Sequence, residues 1–180
     1  MLALALAALA VFAVGGSLAP SAAAAAAAGE TAVVTNQAIV DAPIEEVWRA
    51  WTTKEGMESW MVGKTDFELK VGGEYRTSYN KTSTLDDDAT IHQQLLAFDP
   101  GRMIAMRTVK PPKGFPFPNA ILRTWSVAYL ESAGATQTRV VTRMFGFSDD
   151  EESQKMRAFF ERGNQATLDS LVKRFAHSAH

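Results

Sequence analysis

The chain has 180 residues, a formal net charge of −2 and no cysteine. That length allows one domain with a full core even after the apolar N-terminus is set aside. The missing cysteine excludes disulfides, a thiol nucleophile and thiolate metal sites, and the near-neutral charge leaves no electrostatic footprint for nucleic acid.

Residues 1–28 are nearly all Ala, Leu, Val and Gly. Residues 2–14 resemble the apolar core of a signal peptide, Gly15, Gly16 and Pro20 interrupt it, and the alanines after Ser21 offer small-residue cleavage sites. Cleavage is expected between about Ala22 and Gly29. The segment lacks the positively charged start of a signal peptide, and the run is also long enough to span a bilayer. A periplasmic or secreted protein is expected, with a membrane anchor in residues 1–28 as the alternative. The folded domain then covers residues 29–180.

Residues 31–41 read as a first strand, with Val33, Val34, Ile39 and Val40 as β-branched bulk. Residues 42–61 follow as two short amphipathic helices. Pro43 suits a first helical turn, Asp41 is the expected cap, and Glu45 and Glu46 favour the positive end of the dipole. Ile44, Val47, Trp48 and Trp51 recur at helical spacing and form one apolar face. Thr53 is expected to cap a second helix over residues 54–61, weakened from inside by Gly56 and buried through Met57, Trp60 and Met61.

Residues 66–71 form the next strand and Gly72-Gly73 a tight turn. Tyr75, Thr77 and Tyr79 then alternate with Glu74, Arg76 and Ser78 along a third strand. Residues 81–88 are a polar turn, and residues 89–98 and 103–109 are strands joined across Asp99-Pro100-Gly101. Residues 110–119 hold four prolines and two phenylalanines and cannot be regular structure. Residues 111–118 are read as a flap over a cavity mouth. Residues 121–130 and 136–145 are the last strands, and the short joins predict an antiparallel meander.

The final helix is expected to start at Ser148, which has capping-box spacing to Glu151. Met156, Phe159, Phe160 and Gly163 share one face, and Leu168, Leu171, Val172 and Phe175 a rotated one. Such a helix after a run of strands must bury its stripe on the sheet.

Several of these residues carry a family resemblance. Residues 47–53 (Val-Trp-Arg-Ala-Trp-Thr-Thr), Gly56 with Trp60, residues 71–75 (Val-Gly-Gly-Glu-Tyr), Asp99-Pro100, Gly146-Phe147 and Gly163 match a pattern of the SRPBCC (START-like) superfamily. Within it they resemble the branch of the C-terminal domain of the activator of the heat-shock-protein-ninety ATPase. The match runs from about residue 31 to 176. Lys54 stands where that branch often has Pro, Met61 replaces a second Trp, and Asn164 replaces a Trp after the helix glycine. The resemblance implies an α+β helix-grip fold: a curved antiparallel sheet closed around the last helix, with a cavity between them. It says little about function, because the fold hosts many activities.

The search for chemistry returns no HExxH, P-loop or GxSxG motif. His92 stands alone on a strand, and His177 and His180 lie in the tail. Asp86, Asp87 and Asp88 lack the glycine and terminal glutamate of a calcium loop and read as a solvated turn. No metal, cofactor or catalytic residue is expected. The expected cavity lining is Trp48, Trp51, Trp60, Phe67, Tyr75, Tyr79, Trp125, Met144, Phe159 and Phe160, with Val127, Tyr129, Met106 and Met156 beside them. Strand parity sets Arg76 and Arg143 outward. It makes Arg123, which shares parity with Trp125, the best inward charge for an anionic head group, and Arg107 the second. Gly163, costly inside a helix, suggests close approach of the backbone to something, and Asn164 beside it suggests a roomier, partly polar cavity.

The favoured expectation is an exported binding protein for a hydrophobic or amphipathic small molecule or lipid. The first alternative is a cyclase- or aromatase-like enzyme built from Tyr75, His92 and Arg123, which would shape a reactive chain by position. The second is a co-chaperone-like interaction domain, as the branch name suggests. Membrane contact is expected only through residues 1–28, if these are retained.

Overall fold

The computed structural model describes residues 33–176. The expected signal segment, His177 and His180 lie outside them. The described chain runs β1 (Val34–Val40), α1 (Ile44–Thr52), α2 (Lys54–Glu58), β2 (Lys64–Phe67), β3 (Glu74–Ser78), β4 (Ile91–Asp99) and β5 (Met103–Lys110). A 3₁₀ turn (Ile121–Arg123), β6 (Trp125–Ser132), β7 (Thr138–Phe145) and α3 (Glu151–Ala176) complete it.

The sheet has seven strands in the order β1-β7-β6-β5-β4-β3-β2. From β2 to β7 it is the expected meander. β1 departs from it, because it pairs antiparallel with β7 (Val34 opposite Met144, Val40 opposite Thr138) and not with β2. The helices α1 and α2 therefore carry the chain from one sheet edge to the other.

Capping differs from expectation at two places. Asp41 does not cap α1; its carboxylate accepts the Gln137 amide at 2.7 Å, and Pro43 takes the cap position without a side-chain bond. At α3 the cap is Asp150, not Ser148. Asp150 Oδ1 accepts the Ser153 backbone N–H at 2.9 Å, and Oδ2 accepts Ser148 Oγ and Arg123 Nη2, each at 2.6 Å. These donors, the Ser148 hydroxyl first, hold the Asp150 carboxyl below its ordinary range. Thr53 does cap α2, accepting the Gly56 N–H at 3.0 Å. Gly56 is there for space: an added Cβ would sit 2.3 Å from the Arg49 carbonyl oxygen and 2.8 Å from Ala50 Cα. That close approach locks α2 against α1.

Cross-strand partners share a face. Ser126, Ala128 and Leu130 on β6 lie opposite Met144, Thr142 and Val140 on β7, and Ile104 and Met106 continue the row on β5. This row meets α3, since Ala128, Leu130, Val140 and Ile104 form one core cluster with Leu168, Leu171 and Phe175. A second cluster gathers Val34, Ala120, Ile121, Met144, Phe147 and Met156 under the first half of α3. The helix presents a single stripe: Ser153, Met156, Leu168, Leu171 and Phe175 are buried along it. Phe160 and Asn164 occupy the same helical positions between Met156 and Leu168.

Candidate functional site

Between the inward sheet face, the α1–α2 pair and the middle of α3 lies a cavity of about 200 Å³. Its apolar walls include Trp51, Met57 and Met61 from the helix pair, Ile104, Met106 and Met144 from the sheet, and Phe160 and Leu168 from α3. Between them stand uncharged polar side chains: Gln93, Thr108, Ser126, Thr142, Asn164 and Thr167. The volume is below the range of about 300–1,000 Å³ usual for drug-sized ligands, which favours a small occupant. Tyr79, 75 % exposed, and Trp125, 42 % exposed, also border the cavity.

Of the residues expected here, Trp51, Tyr79, Trp125, Met144, Phe160 and Asn164 border the cavity, with Met106 and Val127. Others stand behind its wall. Trp60 packs edge-on against Trp51 with centroids 5.1 Å apart and donates its indole N–H to the Ala50 carbonyl at 3.0 Å. Trp48 packs, half-buried, against the main core, and Phe67 stacks on Tyr75 at 4.3 Å. Tyr75 is wholly buried and burial pushes its phenol up. Its hydroxyl has no partner among the described residues. Tyr75→Phe is therefore expected to raise stability by up to about 1 kcal/mol, because it deletes a desolvated, unpaired hydroxyl. Chemical denaturation checks this, and a loss of that size would show that the hydroxyl has a partner after all.

Four expectations are corrected. Arg123 is neither on a strand nor inward; it ends the 3₁₀ turn and is exposed, held by Asp150. Strand parity does not carry Arg123 inward, because Trp125, Val127 and Tyr129 face outward, opposite Phe145, Arg143 and Val141. Trp125 stacks on Phe145 at 5.4 Å, and Arg143 lies over the same ring at 5.2 Å. Arg107, the second candidate, gives its guanidinium to Gln94 at 3.0 Å on that outer face. Gly163 has no close neighbour, since an added Cβ would meet nothing within 4 Å, so packing does not explain it. Phe159 is half-exposed and turned to Phe117 at 5.8 Å, away from the cavity.

The segment 111–118 lies outside the sheet, as its prolines require. It is a packed strap more than a flap. Phe115 packs on Phe160 and Phe117 on Phe159, both against the second core cluster, and Glu152 accepts the N–H groups of Asn119 and Ala120 at 2.9 and 3.1 Å.

The trio suggested for an enzyme does not converge: Tyr75 is buried under Phe67, His92 Nδ1 pairs with Glu74 at 2.7 Å, and Arg123 pairs with Asp150. The acidic turn is fully engaged. Asp86 meets Arg76, Asp88 meets Lys113, and Asp87 accepts Ser83, Ala89 and Thr90. Among the described residues no cluster of metal-ligating side chains occurs and no helix is long and apolar enough to cross a membrane. The polar strand residues of the lining that sequence reasoning missed include Gln93, Thr108, Ser126 and Thr142, and it also missed apolar walls such as Met57, Met61, Ile104 and Leu168. Only strand register could have found the polar ones, because polar strand residues otherwise read as solvent-facing.

A curved antiparallel sheet gripping one long helix, with two short helices after its first strand and a cavity inside, defines the START-like class. The chain belongs to the family described as Activator of Hsp90 ATPase homolog 1-like protein, whose model matches residues 41–176. Solved structures agree on the fold. A crystal structure of a Mesorhizobium loti protein is 18 % identical, with a TM-score of 0.66 over 82 % of this chain and 99 % of its own. The solution structure of the Aha1 dimer from Colwellia psychrerythraea is 15 % identical, with a TM-score of 0.62 over 79 % and 95 %. A Thermobifida fusca protein is 17 % identical, with a TM-score of 0.64 over 82 % and 95 %. No curated protein matches this sequence.

Proposed function

We propose that this protein holds a small hydrophobic or amphipathic molecule in the cavity between its sheet and α3, and that it does so outside the cytoplasm. The observation that carries the reading is the cavity itself. It is walled mainly by apolar and methionine side chains, and among the described residues no Asp, Glu or His borders it. Such a space is suited to binding by burial and shape, and it lacks the titratable pairs that acid–base chemistry uses. Family membership supports a ligand-holding role, and the composition of residues 1–28 supports export.

Native mass spectrometry of the full chain from its own host tests the reading. A non-covalent adduct of small mass is expected on the wild type. Asn164→Trp fills the cavity from the middle of the α3 stripe. It should leave the fold intact, since a large apolar side chain suits that stripe, and it should abolish the adduct. An adduct that survives unchanged in Asn164→Trp would place the ligand elsewhere. No adduct and no uptake of added amphiphiles would refute the reading.

A further inference from the structure

Among the described residues, the polar side chains that point into the cavity are uncharged, and this restricts what can bind. Gln93 and Thr108 are cross-strand neighbours on β4 and β5, Ser126 stands on the next strand, and Asn164 lines the same cavity from α3. Among the described residues none of these four side chains has a hydrogen-bond partner, although all are partly buried. Thr167 differs, since its hydroxyl already donates to the Gly163 carbonyl at 3.0 Å. The four therefore keep both donors and acceptors unspent in the wall of a mainly apolar space.

Charge is kept out by the construction of the sheet. Arg107 and Arg143 border the cavity, but register sets both side chains on the outer face, where one binds Gln94 and the other covers Phe145. A carboxylate or phosphate inside would lose water and meet no cation, and an ammonium would meet no carboxylate. Asn164 sharpens the point. It occupies the apolar stripe of a long helix, one turn from Phe160 and one from Leu168, where a hydrocarbon side chain would pack better unless the amide had a partner.

Resting on the cavity-binding reading, we infer that the ligand is a neutral amphiphile. Its apolar body sits against Trp51, Met57 and Met106, and an uncharged hydroxyl, carbonyl or amide meets Gln93, Ser126 and Asn164. The ligand is not a fatty acid or other anion.

The test is calorimetric titration of the full chain with two probes of one shape, 2-naphthalenemethanol and 2-naphthoate, at neutral pH. The alcohol is expected to bind at least about tenfold more tightly than the carboxylate, the difference reflecting an unpaired charge. Asn164→Leu, which suits the apolar stripe and should fold, is expected to weaken the alcohol about fivefold or more while leaving 2-methylnaphthalene as tight or tighter. Equal or tighter binding of 2-naphthoate would overturn the neutral-ligand inference and leave the cavity as a binding site. An alcohol affinity unchanged in Asn164→Leu would also overturn it. Absence of binding by every probe, or binding untouched in Asn164→Trp, would remove the cavity reading as well.

Discussion

Trp51→Ala is expected to lower the free energy of unfolding by about 3–5 kcal/mol, as for other large buried aromatics. Trp51 is 7 % exposed and belongs to the main core cluster, touching the sheet on one side and Trp60 on the other. Its removal empties a space bounded by a cavity that is already open, so the neighbours have little material with which to collapse inward. It also strips support from Trp60, whose N–H ties the α2 side back to the Ala50 carbonyl. Trp48→Ala should cost distinctly less, since that indole is only half-buried at the edge of the same cluster. Urea unfolding of both variants checks the order. A loss under about 1 kcal/mol for Trp51→Ala would mean that its face is solvated and the helix orientation is wrong.

The second large effect concerns the strap. Replacing residues 112–119 by a tight turn is expected to cost about 4 kcal/mol or more. A free flap could be trimmed without harm, and the prolines alone suggest one. The phenylalanines decide otherwise. Phe115 lies 5.7 Å from Phe117 and 6.4 Å from Phe160, and Phe117 lies 5.8 Å from Phe159. The strap also feeds Ala120 and Ile121 into the cluster around Met156 and satisfies Glu152 with two backbone N–H groups. Shortening thus removes two aromatic side chains from a core and frees the first turns of α3 together. Phe115→Ala combined with Phe117→Ala, which keeps chain length, should reproduce most of the loss. If the shortened chain melts like wild type, the strap is a flap and the second cluster holds without it.

The architecture could be read from short-range pattern because each element states its own period. The Val47, Trp48 and Trp51 spacing, the Gly72-Gly73 turn and the proline run before the 3₁₀ turn each fix a local outcome. Pairing of β1 with β7 could not be read, since nothing local in either strand names a partner more than ninety residues away. The cavity was half legible, and the missed half has one physical cause. A cavity exists where side chains are small, so on β6 the inward row is Ser126, Ala128 and Leu130. The bulky Trp125, Val127 and Tyr129 look like core in a hydrophobicity reading, yet they cover the outer face, where Phe145 and the Arg143 guanidinium shelter them. Assigning the large residues inward reversed the strand and drew Arg123 with it. Asn164 was legible for the opposite reason: an amide in an apolar helical stripe is costly wherever it occurs.

Methionine methyl NMR offers the most direct view of whether the cavity is where binding occurs. Met57, Met61, Met106 and Met144 line it, whereas Met156 sits in the second cluster, fully buried and away from the lining. On titration with 2-naphthalenemethanol, the ring current should shift the methyl signals of the first group and leave Met156 nearly still. Shifts confined to Met156 or to Met103, or none among the cavity methionines at a saturating probe concentration, would contradict ligand binding between the sheet and α3.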